Sequence, residues 1–565
     1  MNKQGVLMSA IPVELVGKEC KFSLHLPAIE DYRKDTHIVK EILHYSDGSR
    51  RSNLKVVENF KRPFWITKDF YRTHEQKKES EDIAKLNKFY STESDLGRNI
   101  ASRLGQRYVG KTKLREVRDS PFVYGIDVST AALIKKAYMD RFPDAISSNQ
   151  LATLDIENDV TGKKEISVIS LVMNDKIHTV IRKDWLNNTR DVESQIKHLF
   201  EKHVPDTDIK KNAKMTIEIL DNEMLLVKHI LAKAHEWKPD FIAIWNIDYD
   251  IPYMLKVLEK YGINPKDVFS DPDIPKHLRY FRYKEGMKQK LTESGKYTPI
   301  NPEEQWHSII CPSHFYWIDA MSAHRYVRAG GKTVPGGYSL NNILNMELGE
   351  KLKKLKFGEK ESIQGIEWHI YMAKNKPLEY VVYNQWDCMS MIELDQKTKD
   401  LSHVMSMLSG VSDFGIFNSG PKKIIDAMHF FYIEKEKVLG TKPARVQDNK
   451  ILGLDDWIVL LPSYRVKENG LQVIEENPDL CINARAHVFD SDCVSSYPSD
   501  TVAANVSRET TRREVISIGD IPKQDFKLQN INLFFGDVNA IQYCTNMFGF
   551  PDMFELEELI QKETG

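Results

Sequence analysis

Asp155 and Glu157 stand two residues apart in Thr153-Leu154-Asp155-Ile156-Glu157. On an extended strand that spacing sends both carboxylates to one face. Asp250 follows an apolar run, in Trp245-Asn246-Ile247-Asp248-Tyr249-Asp250. The end of a buried strand is a place where side chains face a ligand crevice. Asp387 lies four residues after Tyr383, so on a helix the two share a face. Four carboxylates from two strands and one helix can hold two Mg2+ or Mn2+ ions, hard cations that take oxygen ligands. Two such ions, about 3.5–4 Å apart, suit phosphodiester hydrolysis by activating water and stabilising the leaving 3′-oxygen. Tyr383 would orient the attacking water through its hydroxyl. A lone Asp-x-Glu is more often a solvated strand edge. The set taken together points to a metal site, because buried acids without a cation repel one another.

The elements that must position these groups follow from the apolar pattern. Leu151–Ile156 reads as a strand and Ile166–Met173 as a fully buried one beside it. Asp221 is expected to open a helix whose apolar positions include Leu225, Leu226, His229, Ile230 and Ala234. That helix stops at Lys238-Pro239-Asp240, and the strand Phe241–Trp245 follows at once. Helix, short turn and buried strand is the rhythm of an α/β sheet. Leu378–Lys397 reads as a long amphipathic helix carrying Tyr383 and Asp387. Farther on, His487–Tyr497 reads as a strand entering a turn at Pro498.

Composition narrows the class. Lys plus Arg total 79 against 81 Asp plus Glu, so any nucleic-acid site is a local patch rather than a global charge. The apolar runs are strand-sized, which argues against a membrane span. No secretory leader is read at the start. The six cysteines lie far apart with no C-x-x-C, so neither a disulfide framework nor a zinc site is indicated, and a reducing compartment is expected. The stretch Lys61–Lys78 interleaves six basic residues with four aromatics. Lys61, Arg62, Trp65 and Lys68 therefore suit single-stranded nucleic acid, with cations on phosphates and rings on bases. An ordinary solvated surface with its aromatics turned inward accounts for the same composition.

The order Asp-x-Glu, then Asn246…Tyr249-Asp250 before Ile251-Pro252-Tyr253, then Tyr383…Asp387 resembles the three exonuclease motifs of family-B DNA polymerases, members of the DEDDy class. Asn246 to Asp250 is one residue shorter than in T-even-type phage enzymes. Residues 488–510 (VFDSDCVSSYPSDTVAANVSRET) resemble polymerase motif A. In that register Asp492 is the polymerase metal ligand, Tyr497 excludes a ribose 2′-hydroxyl, and Ser495, Pro498 and Ser499 fall in place. Ser496 and Asp500-Thr501 depart from the pattern, and Asp490 is an additional acid on the same strand face. Gly415–Tyr432 resembles the linker between exonuclease and palm. Asp206-Thr207-Asp208 imitates the second palm motif but precedes Asp250, and reads as a loop. Gly331-Lys332-Thr333 imitates a phosphate loop but has Tyr326 where that motif needs Gly.

The resemblance implies the N-terminal part of a phage, T-even-type, polymerase, as in a split enzyme. The fold class expected is α/β and α+β multidomain. It comprises a mixed-strand N-terminal domain (1–148), an RNase H-like DEDDy 3′→5′ exonuclease domain (149–402), a linker returning to the N-terminal domain (403–463) and the first part of a palm (464–565). Implied nucleic-acid partners are single-stranded and primer-template DNA, with Asn246 among the contacts. Implied protein partners are a polypeptide carrying fingers, the rest of the palm and thumb, and through it a sliding clamp. The expected location is the host cytoplasm, with two Mg2+ or Mn2+ ions in the exonuclease site and proofreading as the activity. The alternatives are an autonomous exonuclease with a vestigial palm and a non-catalytic, RNA-binding repressor.

Overall fold

The computed structural model describes residues 14–26, 35–75, 77–106, 114–159, 165–186, 189–291, 296–328, 334–355, 357, 365–407 and 420–441. It also describes two short hairpins, Val466–Lys467 with Gly470–Leu471 and Phe534–Phe535 with Val538–Asn539. The chain divides into two units, Met1–Pro443 and Ala444–Gly565. Asp492, Ser495, Tyr497, Pro498 and Ser499 lie outside the described residues.

In the first unit, β1 (Leu15–Leu26), β2 (Thr36–Tyr45) and β3 (Arg50–Glu58) form an antiparallel sheet. A second small sheet has the order β6-β4-β7, built from β4 (Arg62–Thr67), β6 (Leu86–Ser91) and β7 (Val123–Tyr124). Between them in sequence, β5 (Ser80–Asp82) pairs antiparallel with Lys437–Leu439, a strand that follows the helix Gly420–Glu434. The chain thus returns to its own N-terminal region after passing through everything between.

That intervening part is a six-stranded sheet. Its strands are β8 (Leu151–Asn158), β9 (Ile166–Met173), β10 (Lys176–Arg182), β11 (Lys214–Leu220), β12 (Phe241–Ile244) and β17 (Tyr316–Asp319). Their order is β11-β10-β9-β8-β12-β17. The pairs β8–β9 and β9–β10 are antiparallel, whereas β10–β11, β8–β12 and β12–β17 are parallel. The short strands β13 (Arg282–Lys284), β14 (Gln289–Leu291), β15 (Tyr297–Pro299) and β16 (Ser308–Ile310) lie between β12 and β17.

Among the helices, α1 (Leu96–Arg103), α2 (Leu114–Arg118) and α3 (Thr130–Arg141) belong to the N-terminal region, α5 (Asp208–Lys211) and α8 (Lys266–Phe269) are single turns, and α9 (Ala320–Arg328) and α10 (Leu340–Leu348) follow β17. The sheet is covered on both faces. Leu154, Ile156, Ile169 and Leu171 pack on α6 (Glu223–Trp237) and α7 (Ile247–Lys260). Val168, Val172 and Ile181 pack on α4 (Val192–His203) and α12 (Pro377–Thr398). With helices on both sides, every residue of β9 is buried, as its unbroken apolar run requires.

Several sequence expectations are refined here. The helix α6 starts at Glu223, because the Asn222 side chain caps it by accepting from the Leu225 amide at 3.0 Å. His229 sits on the solvent side of α6, 2.9 Å from Glu218, and so is not one of its apolar positions. The helix Leu378–Lys397 exists with nearly those bounds but is not amphipathic: every residue from Tyr380 to Ile392 is buried. It lies between the sheet and neighbouring helices, so no face is left for solvent. Thr207 does not sit in a plain loop but caps the four-residue helix Asp208–Lys211. No helix among the described residues is long and apolar enough to cross a membrane.

Candidate active site

Alternation along β8 decides where its acids go. Ala152, Leu154 and Ile156 enter the core under α6 and α7, so Thr153, Asp155 and Glu157 face α12. The helix is locked in rotation by buried polar contacts with the sheet. The Thr153 hydroxyl donates to the Cys388 carbonyl at 2.9 Å, and the Gln385 amide donates to the Thr179 hydroxyl at 3.0 Å. That rotation turns Tyr380, Tyr383, Asn384 and Asp387 toward Asp155 and Glu157. Carboxylate oxygens of Asp155, Glu157 and Asp387 then lie within 4.8 Å of one another.

Asp250 reaches the same place from the other side of β8. It lies in the first turn of α7 rather than at the end of a strand, and its Oδ1 accepts from the Ile156 amide at 3.2 Å. Asn246 stands at the boundary of that helix, its carbonyl accepting from the Tyr249 amide at 3.0 Å. Asp250 is buried at 4% exposure and Asp387 at 2%.

Each acid has a defined partner. The Asn384 amide donates to Asp155 Oδ2 at 2.7 Å. The Tyr380 hydroxyl donates to Glu157 Oε2. Lys354 Nζ donates to Asp387 Oδ2 and, at 2.9 Å, to the Tyr383 hydroxyl. Asp387 Oδ1 is buried with no hydrogen-bond partner among the described residues. Four acids thus face one lysine, an excess of negative charge in a water-poor place. Burial, and then the charge of Asp387, pushes Asp155 up to about 7. Burial likewise raises Glu157 and Asp250 well above the usual carboxylate range, and raises Asp387 against the opposing pull of Lys354. Burial alone would lower Lys354, but the charges of Asp387, Tyr383 and Asp155 hold it well above its ordinary value. Burial, with Asp387 adding to it, keeps the Tyr383 phenol far from ionising. An orphaned buried oxygen amid uncompensated carboxylates, all hard oxygen donors, fits a divalent cation of the Mg2+ or Mn2+ kind.

Lys354, Asn384, Tyr380 and His369 were not picked out by sequence reasoning. Tyr380 and Asn384 carried a usable signal, since both fall on the helical face of Asp387. Lys354 carried none, being one lysine of four in Lys351-Leu352-Lys353-Lys354-Leu355-Lys356.

The residues proposed for nucleic-acid contact divide. Lys61 is exposed, and Lys68 donates to the Ala84 carbonyl at 2.6 Å. Arg62 and Trp65 are corrected to structural roles, with 2% and 3% exposure. β4 is the central strand of its sheet, so Arg62 turns inward to Glu93 and the carbonyls of Ile126 and Val128. Trp65 packs with Leu86, Tyr124 and Val438, and so closely on Gly125 that a Cβ there would come within 2.7 Å of the ring. Neither side chain can present itself to a strand.

The family model for the exonuclease domain of DNA polymerase family B matches residues 112–298. No curated protein matches the chain. The matched stretch contains Asp155, Glu157 and Asp250 and stops before Tyr383 and Asp387, which the fold brings to them. Exonuclease domains of this family use divalent metals, and the match supports exonuclease activity and DNA binding.

Proposed function

We propose that this chain, with a family-B polymerase exonuclease domain at residues 112–298, is a DEDDy 3′→5′ exonuclease that proofreads as part of a phage DNA polymerase. The observation that carries the reading is the convergence of Asp155, Glu157 and Asp387 within 4.8 Å, with Asp250 bonded to the strand between the first two. The strand order β10-β9-β8-β12-β17, antiparallel through β8 and parallel beyond it, supports an RNase H-like core.

In this reading Asp155, Glu157, Asp250 and Asp387 hold two divalent cations, which when bound supply Lewis acidity for water activation and for the leaving 3′-oxygen. The chain's own residues do the rest. Asn384 fixes the Asp155 carboxylate, and Lys354 occupies one oxygen of Asp387 while leaving Oδ1 open. Tyr383, kept neutral by burial and by the charge of Asp387 and aligned by the bond from Lys354, orients a water by hydrogen bonding without surrendering its own proton. A terminal nucleotide must leave its partner strand to reach so recessed a cluster, so frayed and single-stranded 3′ ends are the preferred substrates.

The polymerase half of the proposal rests on the motif A resemblance at Asp492 and Tyr497. Nucleotidyl transfer clamps its metals between two palm carboxylates, of which Asp492 is the proposed first, and a polypeptide carrying fingers, the remaining palm and thumb is the proposed source of the second. The test is release of 5′-mononucleotides from labelled single-stranded DNA by the purified chain in Mn2+. Asp155→Ala should abolish release, and a wild-type chain that leaves the DNA intact refutes the reading.

A further inference from the structure

Glu157 differs from the other acids in being reached by two side chains in series, one from each of two helices. We propose that His369 and Tyr380 are positioning residues that fix the Glu157 carboxylate for a divalent cation through a directed string of hydrogen bonds. The proposal rests on the nuclease reading above.

The string is short and its direction is determined. Tyr380, on α12, donates its hydroxyl to Glu157 Oε2. His369 belongs to α11 (Ile366–Asn375), and its Nδ1 lies 2.6 Å from the Tyr380 oxygen. The same Nδ1 is 3.8 Å from Glu157 Oε2, so the phenol is the closer partner. A tyrosine hydroxyl has one proton to give, and to hold a cation Glu157 must be ionised and can then only accept. The proton is therefore spent on Glu157, and His369 must supply its own hydrogen from Nδ1. This assigns the neutral ring the Nδ1–H tautomer and leaves Nε2 as the acceptor.

Packing holds the phenol in place, while the partly exposed His369 ring rests edge-on against Trp368 at 5.0 Å. Tyr380 is 1% exposed, stacked on Tyr383 at 5.7 Å and met edge-on by Trp368 at 6.0 Å. With Oε2 bound to a ring that cannot turn, the plane of the Glu157 carboxylate is set, and Oε1 keeps a single orientation. A flexible glutamate would otherwise have to be ordered each time a cation arrives. Partners of this kind, one bond behind a ligand, typically change metal affinity by about 10–100-fold when removed.

The test uses the full chain and Mn2+ alone as the probe, with affinity read by calorimetry or by the Mn2+ paramagnetic resonance signal. Tyr380→Phe removes only the hydroxyl, and His369→Leu removes the donor. His369→Asn keeps an N–H at the Nδ1 position. Tyr380→Phe should weaken Mn2+ binding by about 10–100-fold, with His369→Leu shifted in the same direction. His369→Asn should stay close to wild type, and Tm should be unchanged in all three. At sub-saturating Mn2+, kcat on single-stranded DNA should fall in the first two variants while KM for DNA holds, and added Mn2+ should restore it. Unchanged Mn2+ affinity in Tyr380→Phe overturns the proposal. So does a loss in His369→Asn as large as in His369→Leu, because ring volume would then be what matters. A wild-type chain that binds no Mn2+ overturns the nuclease site itself and the proposal with it, which separates the two failures.

Discussion

Lys354 places an ammonium where Asp155, Glu157 and Asp387 converge, and its two bonds tie the Asp387 carboxylate to the Tyr383 hydroxyl. Lys354→Met should therefore lower kcat more than it changes KM for DNA, and should make the metal-free chain less stable to urea. Tyr383→Phe should be milder than loss of a proton-transferring group, which costs about 10²-fold or more, because in the proposed mechanism the phenol only orients water. Steady-state kinetics on labelled single strands measures both. The acids of this site were legible in the sequence because each sits in a local pattern: Asp155 and Glu157 at strand spacing, Tyr383 and Asp387 at helical spacing. Lys354 and His369 come from separate segments, and no local period marks them. Arg62 and Trp65 show the opposite error. Their composition matched a binding strip, but composition does not tell which way a side chain on a central strand points.

Among the elements, α12 bears the most consequence, since its rotation brings Tyr383 and Asp387 to Asp155. Thr153→Val keeps the shape of β8 but removes the donor to the Cys388 carbonyl. Losing a buried hydrogen bond of this kind should cost about 1–3 kcal/mol, read as a lower urea midpoint. Cleavage should fall with it if the helix turns. The strands β8, β9 and β12 and the helix α6 were readable because each has a clear apolar run and a stop signal. α12 was read in length but not in burial. Its sequence mixes Asn384, Gln385 and Asp387 among apolar residues, and these polar groups mimic a solvent face when in fact they bond to the sheet or the site. Strand order was not readable, because pairing of β12 with β8 joins segments about 90 residues apart and leaves no local trace.

At the scale of the first unit, the N-terminal sheet is fastened to the exonuclease core by a buried ion cluster. Lys40, wholly buried on β2, donates to Asp240 and, at 2.6 Å, to the His314 carbonyl, while Arg50 bonds both oxygens of Asp240 at 3.1 Å. Burial alone would raise Asp240, but Lys40 and Arg50 outweigh it and hold its carboxyl below the ordinary value of 3.8. An acid depressed in the folded state contributes stability that is complete above its unfolded pKa and is lost as pH falls toward the folded one. Asp240→Asn should therefore cost about 3–5 kcal/mol near neutrality, and less at pH values below 3.8. Urea unfolding of both chains across that range checks the sign. Primer extension tests the polymerase half of the proposal: extension by this chain together with a companion polymerase chain should be lost on Asp492→Ala. The returning strand Lys437–Leu439 bears on how the protein is made. Tyr432 bonds Glu79 across 353 residues of sequence, and Val438 completes the core around Trp65. At about 5–20 residues per second a ribosome needs roughly 20–70 s to span that distance. For that interval the nascent N-terminal region carries an open β5 edge and an uncovered tryptophan, and a chain released at Met407 would keep both. Such a product should bind the dye ANS more strongly than the full chain, and the interval before Tyr432 and Val438 are made is when this protein most needs a chaperone.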